Sequence, residues 1–180
     1  MKVYLKPYEV HAVLKLHTVR VGGHGYYVDD LPYGREERNG LVAESPGRWL
    51  GDGATRLGLS ERIEPQAFAD VLDGRDPLSG RALPVKRDRV TVAGYDLVFC
   101  APKSVSLLHA LGPTELASAV GDGHDAAVRA TADYLARAAL EVRRSNHGHR
   151  QTLATTGMVG GAFVHRTSRA LDPHLHTHVV

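Results

Sequence analysis

Three histidines near the end of the chain set the tightest limit on its fold. In GGAFVHRTSRALDPHLHTHVV, His176 and His178 stand two apart in an apolar run, and His165 closes an earlier one. A strand throws alternate side chains to one face, so His176 and His178 project together if HLHTHVV is extended. GGAFVH can pair beside that strand and bring His165 to the same face. Three neutral imidazoles can hold a divalent ion and still leave positions open for a substrate oxygen, as catalytic sites do. An HxH pair alone is more often part of a surface strand. His174 shares its parity, and the chain has 11 histidines. The assignment therefore needs matching chemistry elsewhere.

The chain has 180 residues, the size of one ordinary domain, and buries roughly 70% of its unfolded surface on folding. Its single cysteine, Cys100, excludes an internal disulfide framework and suits a reducing cytoplasm. It lies in an apolar run, where a thiol is more often a small core residue than a reagent. No segment approaches the roughly 18 apolar residues of a membrane span, so no membrane partner is expected. MKVYLKPYEV lacks the apolar core of a signal peptide. A net charge of +2 does not by itself argue for nucleic acid. The basic groups cluster, however: Lys86, Arg87 and Arg89 in one place, and Arg143, Arg144, His147, His149 and Arg150 in another. Such clusters can neutralise phosphates, although many are simply solvated loops. With only 6% aromatic residues, a broad base-stacking platform is not indicated.

The periodicity predicts an α+β layer: an antiparallel sheet with helices packed on one side of it. Residues 10–21 alternate as a strand, with Val10, Ala12, Leu14, Leu16 and Thr18 on its apolar face. Residues 29–48 read mostly as loop, and WLGDGATRLGLS as a packed turn before a short helix. A helix is expected over 65–73, with Pro65 in its first turn and Gly74 ending it. VTVAGYDLVFCAP is the clearest strand, followed by a helix over PKSVSLLHALG. A longer helix is expected over about 123–144, with His124, Val128, Thr131, Leu135 and Val142 on its inner stripe. Gln151–Thr156, Met158–His165 and His174–Val180 close the sheet. The chain ends straight after the histidine pair, which suggests the N-terminal part of a longer protein.

Tyr26 and Tyr27, with Tyr33 beyond them, supply the missing chemistry. Adjacent tyrosines are often mere packing. A phenol has a pKa near 10 and is a poor nucleophile without a base or a cation to help it. A divalent ion binding a phosphoryl oxygen neutralises charge that develops during an in-line displacement. Tyrosine beside such an ion suggests phosphoryl transfer to the phenol.

These elements, in this order, resemble the N-terminal relaxase domain of the TrwC-type (MobF) conjugative relaxases, members of the HUH endonucleases. The resemblance is carried by the YY pair, PGRWLGDGATRLGLS, GYDLVFCAPKSVSLLHALG and HRTSRALDPHLHTHVV, over roughly residues 20–180. It implies that residues 1–180 are the N-terminal part of a DNA nicking and strand-transfer domain. It further implies that His165, His176 and His178 are metal ligands. Asp96 would orient a ligand histidine or assist tyrosine deprotonation; a carboxylate inside an apolar run needs such a partner. Tyr26 matches the nicking nucleophile, with Tyr27 as the alternative. Relatives often carry a second tyrosine or pair several residues later, and here a single residue, Tyr33, holds that place. Lys103, Arg166 and Arg169 are candidate DNA contacts; Ser104 next to Lys103 reads equally well as a helix cap.

The implied cofactor is Mg²⁺ or Mn²⁺, although imidazoles bind zinc or nickel more tightly. The implied partners are single-stranded DNA at a transfer origin, a fused helicase region and the conjugation machinery. Two rival readings remain: a catalytically inactive module that binds single-stranded or hairpin DNA, and a metal-dependent hydrolase with structural tyrosines.

Overall fold

The structure, a computed structural model, describes residues 13–23, 46–59, 62–83, 91–146, 149–155 and 157–180. Tyr26, Tyr27 and Tyr33 lie outside the described residues, as do Lys86, Arg87, Arg89 and His147.

Five strands form the main sheet: β1 (Leu14–Arg20), β2 (Arg48–Leu50), β3 (Val92–Cys100), β6 (Gly160–Thr167) and β7 (Pro173–Val179). Their order is β1-β3-β7-β6-β2, and every pairing is antiparallel. The central strand is β7, whose residues alternate between buried Leu175, Thr177 and Val179 and half-buried His174, His176 and His178. The expected α+β architecture with an antiparallel sheet is present.

Helices cover both faces, which corrects the expectation of one side. The face carrying Phe99, Ala162 and Val179 packs against Val128 and Ala132 of α4 (Thr114–Ala138). The other face carries Val19, Trp49 and Phe163, and packs against Phe68 and Leu72 of α2 (Pro65–Leu72). The second core is small but dense. Phe68 meets Phe163 edge-on at 5.2 Å between ring centroids, and burial of a ring this size stabilises by about 2–3 kcal/mol. Gly161 makes that contact geometrically available, since a Cβ there would stand 2.7 Å from the Phe68 ring.

Four other expectations change. Trp49 and Leu50 are not a turn but strand β2 on β6; α1 (Asp52–Arg56) follows after Gly51. The long helix begins at Thr114 and ends at Ala138, and Val142 belongs to strand β4 (Glu141–Asn146) rather than to the helix stripe. With β5 (His149–Ala154), β4 forms a separate two-stranded ribbon, Val142 opposite Leu153. In β1 the buried residue is Val19, whereas Leu14 and Leu16 are 39% and 61% exposed. The reason is position: β1 is an edge strand, and α4 covers the sheet beyond its reach.

Candidate metal centre

β6 and β7 bring the histidines together through register. His165 sits directly opposite His176, and Phe163 opposite His178. With a side-chain period of two, all three imidazoles therefore emerge on the same face, the one that α2 partly covers. The three rings form a near-equilateral group, with centroids 5.2, 5.3 and 5.6 Å apart.

Hydrogen bonds set two of the rings. His178 Nδ1 lies 2.9 and 3.0 Å from the two carboxylate oxygens of Asp96, which is buried on β3. His176 Nδ1 lies 2.8 Å from the carbonyl oxygen of His174. In each case the Nδ1–H donates to an oxygen, so the lone pair is on Nε2, the arrangement that metal-binding histidines use. His165 Nε2 is buried with no hydrogen-bond partner. A buried nitrogen without a partner is costly, and a metal ion would satisfy it. The donor set therefore fits a divalent cation.

The trio is gathered but not closed. Among the described residues, no three His, Cys, Asp or Glu side chains are already set to hold one ion. The planes of His165 and His176 are 28° apart, a stacked pair, and His174 stacks on His176 in turn at 4.6 Å. Ligands of one ion must instead aim their nitrogens at a common point.

Burial holds two of the rings, His165 and His176, neutral. Desolvation, reinforced by the neighbouring imidazoles, pushes His165 down to about 3 and His176 to about 4. At neutral pH neither ring must lose a proton before it can bind a cation.

The remaining candidates are dispersed. Lys103, at the start of α3 (Lys103–Leu111), donates from Nζ to the Pro173 carbonyl at 2.9 Å, bracing the entry to β7. Ser104 makes no side-chain cap on that helix. Arg166 lies on the opposite sheet face from the histidines, in a cleft of about 660 Å³ with Arg48, His109, His124 and Asp125. Its charge contributes to lowering the His109 pKa, after burial. Arg169 is exposed in the β6–β7 turn. Sequence reasoning missed the His174 carbonyl as a support and the His124–Thr177 hydrogen bond behind the site. Only the helical stripe that includes His124 hinted at the second.

The family model described as TrwC relaxase matches residues 17–180. Two proteins called multifunctional conjugation protein TraI are similar. One, from Escherichia coli, is 39% identical over 154 residues, covering 82% of this chain and 8% of the relative. The other, from strain K12, is 38% identical over 176 residues, covering 93% and 9%. Solved structures of the conjugative relaxase TrwC share the fold. Its complex with a 27-mer DNA comprising the recognition hairpin and the cleavage site superposes with TM-score 0.71 at 30% identity. That match covers 93% of this chain and 54% of the solved one. A copper-bound complex of TrwC with oriT DNA gives 0.71 at 32%, covering 93% and 56%. The chain thus spans about half of the solved relatives and under a tenth of the TraI proteins.

Proposed function

Because this chain belongs to the TrwC relaxase family, we propose that it carries the nicking half-site of a conjugative relaxase, working on single-stranded DNA at a transfer origin. The observation that carries this reading is the imidazole trio of β6 and β7 with Asp96 behind His178.

In the proposed reaction the phenol oxygen of Tyr26 attacks the scissile phosphorus in line. The bond to the 3′-oxygen of the preceding nucleotide breaks. The products are a 5′-phosphotyrosyl link and a strand with a free 3′-hydroxyl; the phenol proton is lost and the departing oxygen gains one. The ester retains the energy of the broken bond, so the reverse attack rejoins the strand. Tyr27 is the alternative nucleophile, and Tyr33 the candidate for a second transfer.

His165, His176 and His178 would hold the divalent ion, which when bound supplies Lewis-acid stabilisation of the scissile phosphate. The protein's own contribution is orientation. Asp96 accepts from His178 Nδ1–H, which fixes the ring's orientation and, in the neutral ring, leaves the lone pair on Nε2. Both carboxylate oxygens are engaged in this way, which favours the orienting role over that of a base. Mg²⁺ or Mn²⁺ is the proposed ion in use, with zinc or nickel binding more tightly. The TrwC complexes with oriT DNA support DNA as the substrate. Basic positions 143, 144, 149 and 150, on the β4–β5 ribbon, together with Lys103, Arg166 and Arg169, are the proposed backbone contacts. A fused helicase region, other conjugation proteins and a cytoplasmic site of action complete the proposal. Among the described residues no helix is long and apolar enough to cross a membrane.

Incubation with labelled single-stranded origin DNA and Mn²⁺ tests the chemistry. We expect an SDS-stable protein–DNA adduct that disappears in Tyr26→Phe and in His176→Ala, with DNA binding nearly unchanged in the first. Free 5′-phosphate without adduct would establish the hydrolase instead, and uncut DNA the inactive binder. A full adduct in Tyr26→Phe would transfer the nucleophile to Tyr27 or Tyr33.

A further inference from the structure

We infer that His124 of α4 is a positioning residue for the metal centre, acting through Thr177 from the far side of the sheet. The inference rests on the proposed ligand role of His165, His176 and His178.

Thr177 is the residue between the two ligands of β7, and its side chain points the other way, 1% exposed. Its Oγ1 lies 3.0 Å from His124 Nε2. A hydroxyl this deep is costly without a partner, and the imidazole satisfies it. Two residues earlier, Ser106 of α3 makes a similar attachment. Its Oγ accepts from the Leu175 N–H at 3.0 Å and donates to the Pro102 carbonyl at 3.2 Å. The helix layer therefore grips β7 at 175 and 177, the positions that alternate with His174, His176 and His178.

These attachments restrain a motion that the sheet itself leaves soft. Ladder hydrogen bonds to β3 and β6 lie in the plane of the sheet and resist sliding and separation. They resist much less a roll of the strand about its own axis. Such a roll swings His176 and His178 relative to His165, which belongs to another strand. Metal–nitrogen bonds hold within about 0.2 Å, so a small roll already spoils the fit. A bond from α4 to the residue between the ligands is placed where it limits that roll.

Co²⁺ titration of the intact metal-free protein tests this, reading the dissociation constant and the visible absorption band. We expect His124→Leu and Thr177→Val each to weaken Co²⁺ binding about tenfold, the low end for groups that support ligands indirectly. Both should also alter the band. The double variant should bind no more weakly than either single one, because both remove the same bond. His124→Gln, whose amide can still reach Thr177, should recover most of the affinity. Thr177→Val, which is nearly isosteric, decides the matter alone if His124→Leu does not fold. Unchanged affinity and an unchanged band in Thr177→Val would overturn the inference while leaving the ligand assignment standing. If the unmodified protein takes up no Co²⁺, the ligand assignment fails and this inference fails with it.

Discussion

A histidine buried without a charge partner has a direct effect on stability. Folded His165 takes up its proton only near pH 3 and His176 near pH 4, against 6.5 for an exposed imidazole. Below pH 6.5 the unfolded chain therefore binds more protons than the folded one, and stability falls as the pH drops from 6.5 toward 3. Above 6.5 these two rings contribute no slope. Urea midpoints measured in chelator at pH 7.5 and 4.5 should show the loss. His165→Phe, which has no group to protonate, should make it smaller; an identical loss in that variant would place its origin elsewhere. At this scale the sequence was informative wherever parity decides the matter. HLHTHVV forces His176 and His178 to one side, and Asp96 stands out because a carboxylate among Tyr95, Leu97 and Val98 needs a partner, here His178. Hydrogen bonds made by a backbone carbonyl, such as that of His174, or by an ordinary-looking helix residue, such as His124, leave no comparable mark.

Among the elements, the β6–β7 connection has the most to do, because it sets which histidine faces which. It closes through Ser168, whose N–H donates to the Asp172 carbonyl at 2.9 Å while its Oγ accepts from the N–H groups of Ala170 and Asp172. Leu171 completes the turn at φ 64°, a left-handed conformation that costs a β-carbon-bearing residue about 1 kcal/mol or more. Its side chain is 44% exposed and returns little of that cost. Leu171→Gly should therefore stabilise the protein by about 0.5–1 kcal/mol, read as a higher thermal midpoint; a lower midpoint would mean that the leucine packs against something beyond this turn. Element boundaries were legible where proline or glycine marks them, as with Pro65 and Gly74 around α2. They were misread at the end of α4. Leu135 and Val142 are spaced like a continuing helical stripe, but Val142 instead faces Leu153 across the ribbon, a pairing that periodicity within one segment cannot reveal. The apolar face of β1 was misassigned for a related reason, since burial there depends on which helix reaches the edge of the sheet.

Across the whole molecule, the proposed chemistry is separate from one of the proposed DNA contacts, the β4–β5 ribbon, whereas Arg166 and Arg169 follow His165 along β6 and its turn. The histidines lie on β6 and β7 within the main sheet, whereas the β4–β5 ribbon pairs with no strand of that sheet among the described residues. The overall charge of +2 supplies little long-range attraction, so affinity for a polyanion has to come from local concentrations of arginine such as positions 143 and 144. Two perturbations should then act independently. Chelation of the metal should abolish adduct formation and leave the affinity for single-stranded origin DNA, followed by fluorescence anisotropy, within about threefold of its original value, less than 0.7 kcal/mol. Arg143→Ala with Arg144→Ala should do the reverse: weaker DNA binding, metal affinity unchanged, and a slope of log K against log salt reduced by up to about 1.4 if both side chains neutralise phosphates. If the ribbon instead served only to support the metal centre, the double variant would lose metal and adduct together at an unaltered salt slope. Because the two schemes predict opposite pairings of lost and retained properties, one titration of each variant with salt and with metal separates them.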